Sequence, residues 1–314
     1  MEKSFYAFGT MNTIRIDDEL ADNNAYEEHL NQIVKKALSL DDLLSVFKPK
    51  SEISILNQNA GKKAVTVSET TMNLLMRSLY YAEISNGAFD ITIRPAVKLW
   101  GIGQKEQQIP SDLELMKIES LINYKHLELD PISSTAYLKK EGQSVDLGAI
   151  AKGYATDFVK NELLLLGVKH GLLNFGGTIF TIGKKREDVP WKIGIQNPID
   201  KRGESIGFLE LENKAMVTSA VNERYFIKNG IFYHHILDPV TLKPAKSGVL
   251  GVSAVGDCAM DLDAITTALF VLGMEKGIVL ANKLDLSVLY LLDNGTVYAT
   301  KGFTDGTFQF RLTA

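Results

Sequence analysis

The sequence predicts an α+β fold, with mixed and antiparallel sheets and packed helices. Three observations lead there. Helical and strand periods alternate along the chain without the strict strand–helix–strand rhythm of a doubly wound sheet. The second half is richer in strand-like stretches than the first. Hydrophobic residues make up 45% and charged residues 23% of the 314, proportions that support an ordinary globular core. Without a repeat, a low-complexity stretch or a Pro/Ser-rich linker, residues 1–314 read as one domain, or as two closely joined lobes with no legible boundary.

Near the N-terminus, Thr13-Ile14-Arg15-Ile16 is strand-like. A first helix is predicted over 24–47, with Leu30, Ile33, Val34, Ala37 and Leu38 on one face. A second runs from Ser68 to Ser85 and stops at Asn86-Gly87, residue types that accept a left-handed cap. Ser111-Asp112-Leu113-Glu114 matches a capping box and opens a short third helix. A fourth begins near Ala149 and stops at Gly167, and a fifth covers 261–272 and ends at Gly273. Strand patterns fall at 126–130, 136–139, 172–175, 191–196, 206–212, 225–228, 232–235, 250–255, 286–292 and 297–300.

A net charge of −4 gives no basic surface for nucleic acid or anionic lipid. Cys258 is the only cysteine, so neither an intrachain disulfide nor a Cys/His zinc cluster is available. No apolar run approaches the roughly 20 residues of a membrane span. The N-terminus lacks a basic and apolar leader and a lipobox cysteine, so the chain as given reads as cytoplasmic, or as extracellular if a leader was removed.

Five stretches carry candidate chemistry. In Val145-Asp146-Leu147-Gly148-Ala149-Ile150-Ala151-Lys152-Gly153 an apolar strand end runs into a helix start, whose free N–H groups suit an anion. The plainer reading is a capped helix start. Asn174-Phe175-Gly176-Gly177 permits close backbone approach to a ligand, or makes an ordinary turn. Of the adjacent His234 and His235, strand geometry lets only one face a given site. A histidine before the Asp238-Pro239 turn is suited to proton transfer near neutral pH, or is structural. Asp263 and Thr267, spaced i,i+4, place a carboxylate and a hydroxyl on one helix face, a hard-oxygen pair compatible with Mg²⁺ or simply a dipole-favoured helix start. Asp90, among apolar residues, needs hydrogen-bonding partners and serves either a ligand edge or a loop.

Taken in order, these motifs resemble the FAD:protein FMN transferase family, known as ApbE. The resemblance runs through Gly9-Thr10-Met11-Asn12-Thr13, the segment from Ser51 to Asn57, Gly87 to Thr92 with Leu99-Trp100-Gly101, Val145 to Asp157, Asn174 to Gly177, Thr218-Ser219, His235 to Pro239, and Asp263 to Gly273. No one segment is specific; their order and spacing are.

The resemblance implies a single flavin transferase domain with FAD as substrate and Mg²⁺ beside the pyrophosphate. It implies metal ligation by Asp263 and Thr267 with a main-chain oxygen of Ala149. Flavin contacts are implied for Met11, Glu52, Ile53, Ser54, Asp90, Asp146, Lys152 and the backbone near Leu237. The implied acceptor is a Ser or Thr in a short motif of a partner flavoprotein, which would receive FMN through a phosphoester as AMP departs. His235 is the first candidate base, with Asp238 as its orienter. Two other readings share the site: a FAD pyrophosphatase with water as acceptor, and a flavin-binding protein without catalysis. The chain departs from the family pattern at Asn12, Arg94 and Leu242, where glycine is usual, and at Thr266, where some members carry an acid.

Overall fold

The computed structural model describes residues 1–18, 23–186, 189–199, 204–308 and 310–312. In chain order the first half contains β1 (Glu2–Ala7), β2 (Thr10–Ile16), α1 (Asn23–Leu44), α2 (Glu52–Gln58), β3 (Val65–Thr66), α3 (Glu69–Ile84), α4 (Arg94–Trp100), α5 (Asp112–Glu119), β4 (Leu127–Asp130) and β5 (Thr135–Leu138). Then follow α6 (Ala151–Leu165), β6 (Gly171–Phe175), β7 (Thr178–Ile182), β8 (Trp191–Gln196), β9 (Ser205–Leu211), β10 (Ala215–Ala220), β11 (Tyr225–Lys228) and β12 (Ile231–His234). The chain closes with β13 (Val249–Gly256), α7 (Ala259–Lys283), β14 (Ser287–Leu292), β15 (Val297–Ala299), α8 (Lys301–Thr304) and β16 (Phe310–Leu312).

The α+β expectation holds. An eight-stranded antiparallel sheet, ordered β1-β2-β6-β7-β10-β13-β14-β15, forms the centre. Helices α6 and α7 cover one face, with α1 packed on α6. The sheet β16-β9-β8 covers part of the other, joining Trp191, Ile193 and Leu209 to Met216, Val255 and Leu289. Strand β13 is therefore buried along nearly its whole length, and its run of small and apolar residues suits a strand covered on both sides.

Helix α7 is apolar around most of its circumference because it lies inside the molecule, against α6, β10 and β13. Length and composition alone would let it cross a membrane, as they would many core helices. Its helical path is interrupted at Gly273 (φ 75°, ψ 173°) and then resumes to Lys283. The break was predicted; the resumption was not, because a glycine stop and a glycine interruption look alike in sequence.

Other boundaries moved for local reasons. Helix α1 ends at Leu44, three residues before the predicted end, since the chain turns at Ser45–Lys48 ahead of Pro49, which disfavours helix in the residue before it. Strand β12 stops at His234, so His235 lies just beyond the ribbon. The capping box at Ser111 and Glu114 forms as predicted, and Asn86 and Gly87 close α3 with positive φ.

A satellite cluster, containing Trp100, Leu115, Phe226, Leu237 and Leu242, fastens the β11–β12 hairpin onto α4 and α5. Leu242 takes a left-handed φ of 58° yet is 2% exposed. Its carbonyl accepts from Trp100 Nε1 at 2.7 Å. The side chain fills the cluster, which explains a leucine where the family pattern has glycine.

Candidate active site

Loops at the edges of these layers enclose a cleft of about 820 Å³. Its walls come from the β1–β2 turn (Phe8, Gly9, Thr10), the Ser45–Lys48 turn, the α4 region and the α6 start. The end of β10, the His235-Ile236-Leu237 stretch and the first turns of α7 complete them.

The α6 start, read from sequence as an anion site or a plain capped helix start, is closed by a carboxylate of the chain itself, Asp263. Gly153 N–H, in the first turn of α6, donates to Asp263 Oδ2 at 3.0 Å. Lys152 Nζ approaches Asp263 Oδ1 and Oδ2 at 3.0 and 3.3 Å, and donates to the Gly148 carbonyl at 3.1 Å. A carboxylate, a main-chain oxygen and a cation thus already meet at one place. Gly153 makes the meeting possible, since a Cβ there would stand only 2.6 Å from both the Ala259 carbonyl carbon and Met260 Cα. From the rear, Asp157 Oδ2 accepts from Met260 N–H at 2.9 Å and from the Cys258 thiol at 3.3 Å. Arg77 clasps both oxygens of Asp261 at 2.6 Å. These contacts fix where the first turn of α7 lies, and so where Asp263 points.

Asp263, 4% exposed, lines the cleft together with Thr267 and Ala149. Their donors are all oxygen, which favours a hard cation over a soft one. Among the described residues no three His, Cys, Asp or Glu side chains gather as a metal set. Thr266 instead turns inward: its hydroxyl donates to the Leu262 carbonyl at 2.8 Å and accepts from Ser219 at 2.9 Å.

The two histidines face different surroundings, His234 as the last residue of β12 and His235 just past it. His234 is buried, with Nε2 at 3.1 Å from the Ala245 carbonyl, and His235 lines the cleft. His235 Nδ1 lies 3.2 Å from the Arg224 carbonyl, an oxygen that only accepts. Nδ1 therefore carries the proton and Nε2 keeps its lone pair. Burial first, then the positive charge of Arg224, push the imidazole down to about 3, with Lys152 adding in the same direction. The ring is neutral at pH 7. Asp238 does not orient it. Its carboxylate accepts from Val240 N–H at 2.8 Å and the Thr241 hydroxyl at 3.1 Å, holding the Asp-Pro turn, and the orienting oxygen is the Arg224 carbonyl.

The expected flavin contacts also divide. Asp90, Asp146, Lys152 and Leu237 line the cleft. Asp90 is nonetheless fully engaged in the fold, accepting from Thr92 N–H, the Thr92 hydroxyl and Tyr124 N–H at 2.7 to 2.9 Å. Burial raises its pKa, and those three donors pull the other way. Asp146 pairs with Arg94 at 3.0 Å and accepts from Gly148 N–H at 2.9 Å. Met11, Glu52, Ile53 and Ser54 are not cleft residues. Met11 is 57% exposed on β2, outside the cleft walls. Glu52 accepts from Ser68 N–H and hydroxyl at the start of α3, while Ile53 and Ser54 are buried in α2. This segment supports the neighbouring Ser45–Lys48 wall rather than lining the cavity. Asn12 is likewise structural: its buried Nδ2 reaches the carbonyls of Phe5, Ala7 and Thr10.

Phe47 and Arg224 are among the cleft residues that the sequence reading did not single out. Phe47, absorbed into the predicted first helix, is 63% exposed at the rim with the Arg94 guanidinium 4.8 Å from its ring centre. Arg224 follows β10 in a charged Glu-Arg pair between two apolar strand stretches, the one local signal for it.

Against this geometry, the pattern described as ApbE family matches residues 8–290. The chain belongs to the ApbE family. A Klebsiella pneumoniae (strain 342) relative named FAD:protein FMN transferase is 32% identical over 273 residues, spanning 87% of this chain and 84% of its own length. A Treponema pallidum (strain Nichols) protein of the same name is 33% identical, spanning 84% of this chain and 76% of its own. The ApbE fold agrees as well. The ApbE protein of Thermotoga maritima superposes with a TM-score of 0.88 at 29% identity, covering 97% of this chain and 98% of that one. The flavin transferase ApbE from Vibrio cholerae gives 0.86 at 28%, with the same coverage.

Proposed function

We propose that this chain is a FAD:protein FMN transferase that moves FMN from FAD to a Ser or Thr hydroxyl of a partner flavoprotein. The observation carrying the reading is His235, its Nδ1 held on the Arg224 carbonyl so that Nε2 is free to accept a proton, in the same cleft as the Lys152–Asp263 pair and in a chain of this family. The acceptor oxygen bonds to the FMN-side phosphorus, the bond to the AMP oxygen breaks, and AMP leaves with that electron pair. His235 Nε2 takes the acceptor's proton.

Asp263, Thr267 and the Ala149 carbonyl are the residues for Mg²⁺, and the cation-holding arrangement of Lys152 between Asp263 and Gly148 supports that assignment. When bound, Mg²⁺ supplies neutralisation of pyrophosphate and leaving-group charge. Lys152 orients the pyrophosphate, and Asp146 with Leu237 positions the flavin.

The test is mass spectrometry of an acceptor flavoprotein after incubation with the enzyme, FAD and Mg²⁺. The expected outcome is a gain equal to FMN that disappears with Asp263→Ala and falls sharply with His235→Ala. AMP release at the same rate without acceptor would make the chain a FAD pyrophosphatase. FAD bound but never consumed would make it a binding protein.

A further inference from the structure

Four basic side chains line the cleft, and three are already matched by carboxylates. Lys48 pairs with Asp41 and Asp42, Arg94 with Asp146, and Lys152 with Asp263. Arg224 is the fourth. Among the described residues its guanidinium has neither an ion pair nor a hydrogen-bond acceptor, and the adjacent Glu223, which also lines the cleft, forms no ion pair with it.

The side chain is nevertheless confined. It passes between two glycine turns far apart in sequence, Gly9 (φ 72°) and Gly103 (φ 79°). A Cβ at Gly9 would stand 2.8 Å from Arg224 Nη2, and one at Gly103 would stand 3.1 Å from Cδ. Both turns leave room for this arginine, and any larger residue at either would crowd it. The same residue touches His235 through its main chain, its carbonyl receiving His235 N–H at 3.1 Å and Nδ1–H at 3.2 Å.

We propose that Arg224 is a substrate-binding residue that grips phosphate oxygens of the dinucleotide, so that one residue both holds the reacting anion and orients the imidazole beside it. The proposal rests on the flavin-dinucleotide reading for the identity of the ligand, but its chemistry requires only a phosphoanhydride. A guanidinium fits two oxygens of one phosphate in a planar fork, which the point charge of a lysine does not reproduce. With the other three cleft cations largely neutralised by their partners, this unpaired charge is the one most available to a polyanion.

The test separates the charge from the main-chain contact, because every substitution at Arg224 keeps the carbonyl. Dissociation constants for FAD, ADP and riboflavin are measured by calorimetry for the wild type, Arg224→Gln and Arg224→Lys, with thermal melts as the folding control. Arg224→Gln is expected to weaken FAD and ADP by about 10- to 100-fold and riboflavin by less than twofold, a loss typical of a charged hydrogen bond. Arg224→Lys should fall between. FAD affinity unchanged in Arg224→Gln, or an equal loss for riboflavin, overturns the proposal. Should Arg224→Gln fail to fold, Arg224→Lys alone decides: a selective weakening of the phosphorylated ligands supports the proposal, and wild-type affinities sink it. FMN transfer is followed in parallel with the wild type. Selective weakening without any wild-type transfer leaves Arg224 as an anion grip in a protein of another activity. Transfer with normal FAD binding in Arg224→Gln refutes Arg224 and spares the transferase reading.

Discussion

Gly153→Ala bears most directly on how the site is assembled. In an exposed helix this change stabilises by about 1 kcal/mol, because alanine is the better helix former. Here the new Cβ would stand 2.6 Å from Ala259 C and Met260 Cα, main-chain atoms that no rotamer change can move. Restoring ordinary contact requires the starts of α6 and α7 to separate by about 1 Å. Overpacking of this kind costs about 3 kcal/mol, so the net effect is a loss of about 2 kcal/mol, opposite in sign to the propensity effect. The same separation stretches the 3.0 Å bond from Gly153 N–H to Asp263, and a displacement of about 1 Å at a reacting centre costs on the order of 100-fold in rate. Urea denaturation and FMN transfer are measured on the same preparation. A variant at least as stable as the wild type and fully active would refute the claim that close α6–α7 contact sets the position of Asp263.

Other perturbations have distinct signatures. Asp263→Asn removes the partner of Lys152, a half-buried pair, and should lower the urea-unfolding free energy by about 2 kcal/mol and FMN transfer by more than about 100-fold; retained transfer would move the metal and charge assignment elsewhere. Leu242→Gly relieves a left-handed backbone worth about 1–2 kcal/mol but empties a buried leucine site worth about 2–5 kcal/mol, so chemical denaturation should show a net loss of about 2 kcal/mol, and a gain would mean that strain dominates. His234 and His235 both have folded-state pKa values below the ordinary imidazole value of about 6.5. The unfolded chain therefore binds more protons as the pH falls below about 6.5, and stability drops toward pH 5. In His235→Gln that drop should be shallower in urea midpoints taken at pH 7.5, 6 and 5, and parallel curves for the two proteins would show that His235 ionises normally in the folded state.

Much of this was legible in the sequence where one residue type does one local job. Ser111 and Glu114 specify a capping box, and Asn86-Gly87 stops a helix, because those events depend on neighbours within a few positions. Asp263, Thr267, Lys152 and His235, which the structure brings to one cleft, stand out for a related reason: polar groups at helix starts and strand ends are conspicuous against an apolar background. The failures share a different cause. Strands β7 and β10 are short and mix small with polar residues, so their pairing partners define them more than their own alternation does. Helices α2 and α4 have seven residues each, too few for a helical period to show. Glu52 carries a charge, a feature shared by ligand-contacting and scaffolding residues, and only the three-dimensional path reveals that Ser68 claims it. Arg224 escaped because its role depends on two glycine turns more than a hundred residues away.

The order of the large sheet has a consequence for how the chain reaches this state. The β1–β2 ribbon is synthesised well before β6, its pairing partner, so it waits through about 150 residues before the β2–β6 register can form. During that interval the apolar side of the ribbon, including Ile14 and Ile16, has no sheet to join. Closing so long a loop costs chain entropy, so the β2–β6 pairing is a slow, non-local step in folding. Because Gly9 sits in the turn of that ribbon, the cleft lacks this wall until β6 has been made, and the α7 wall that carries Asp263 follows later still.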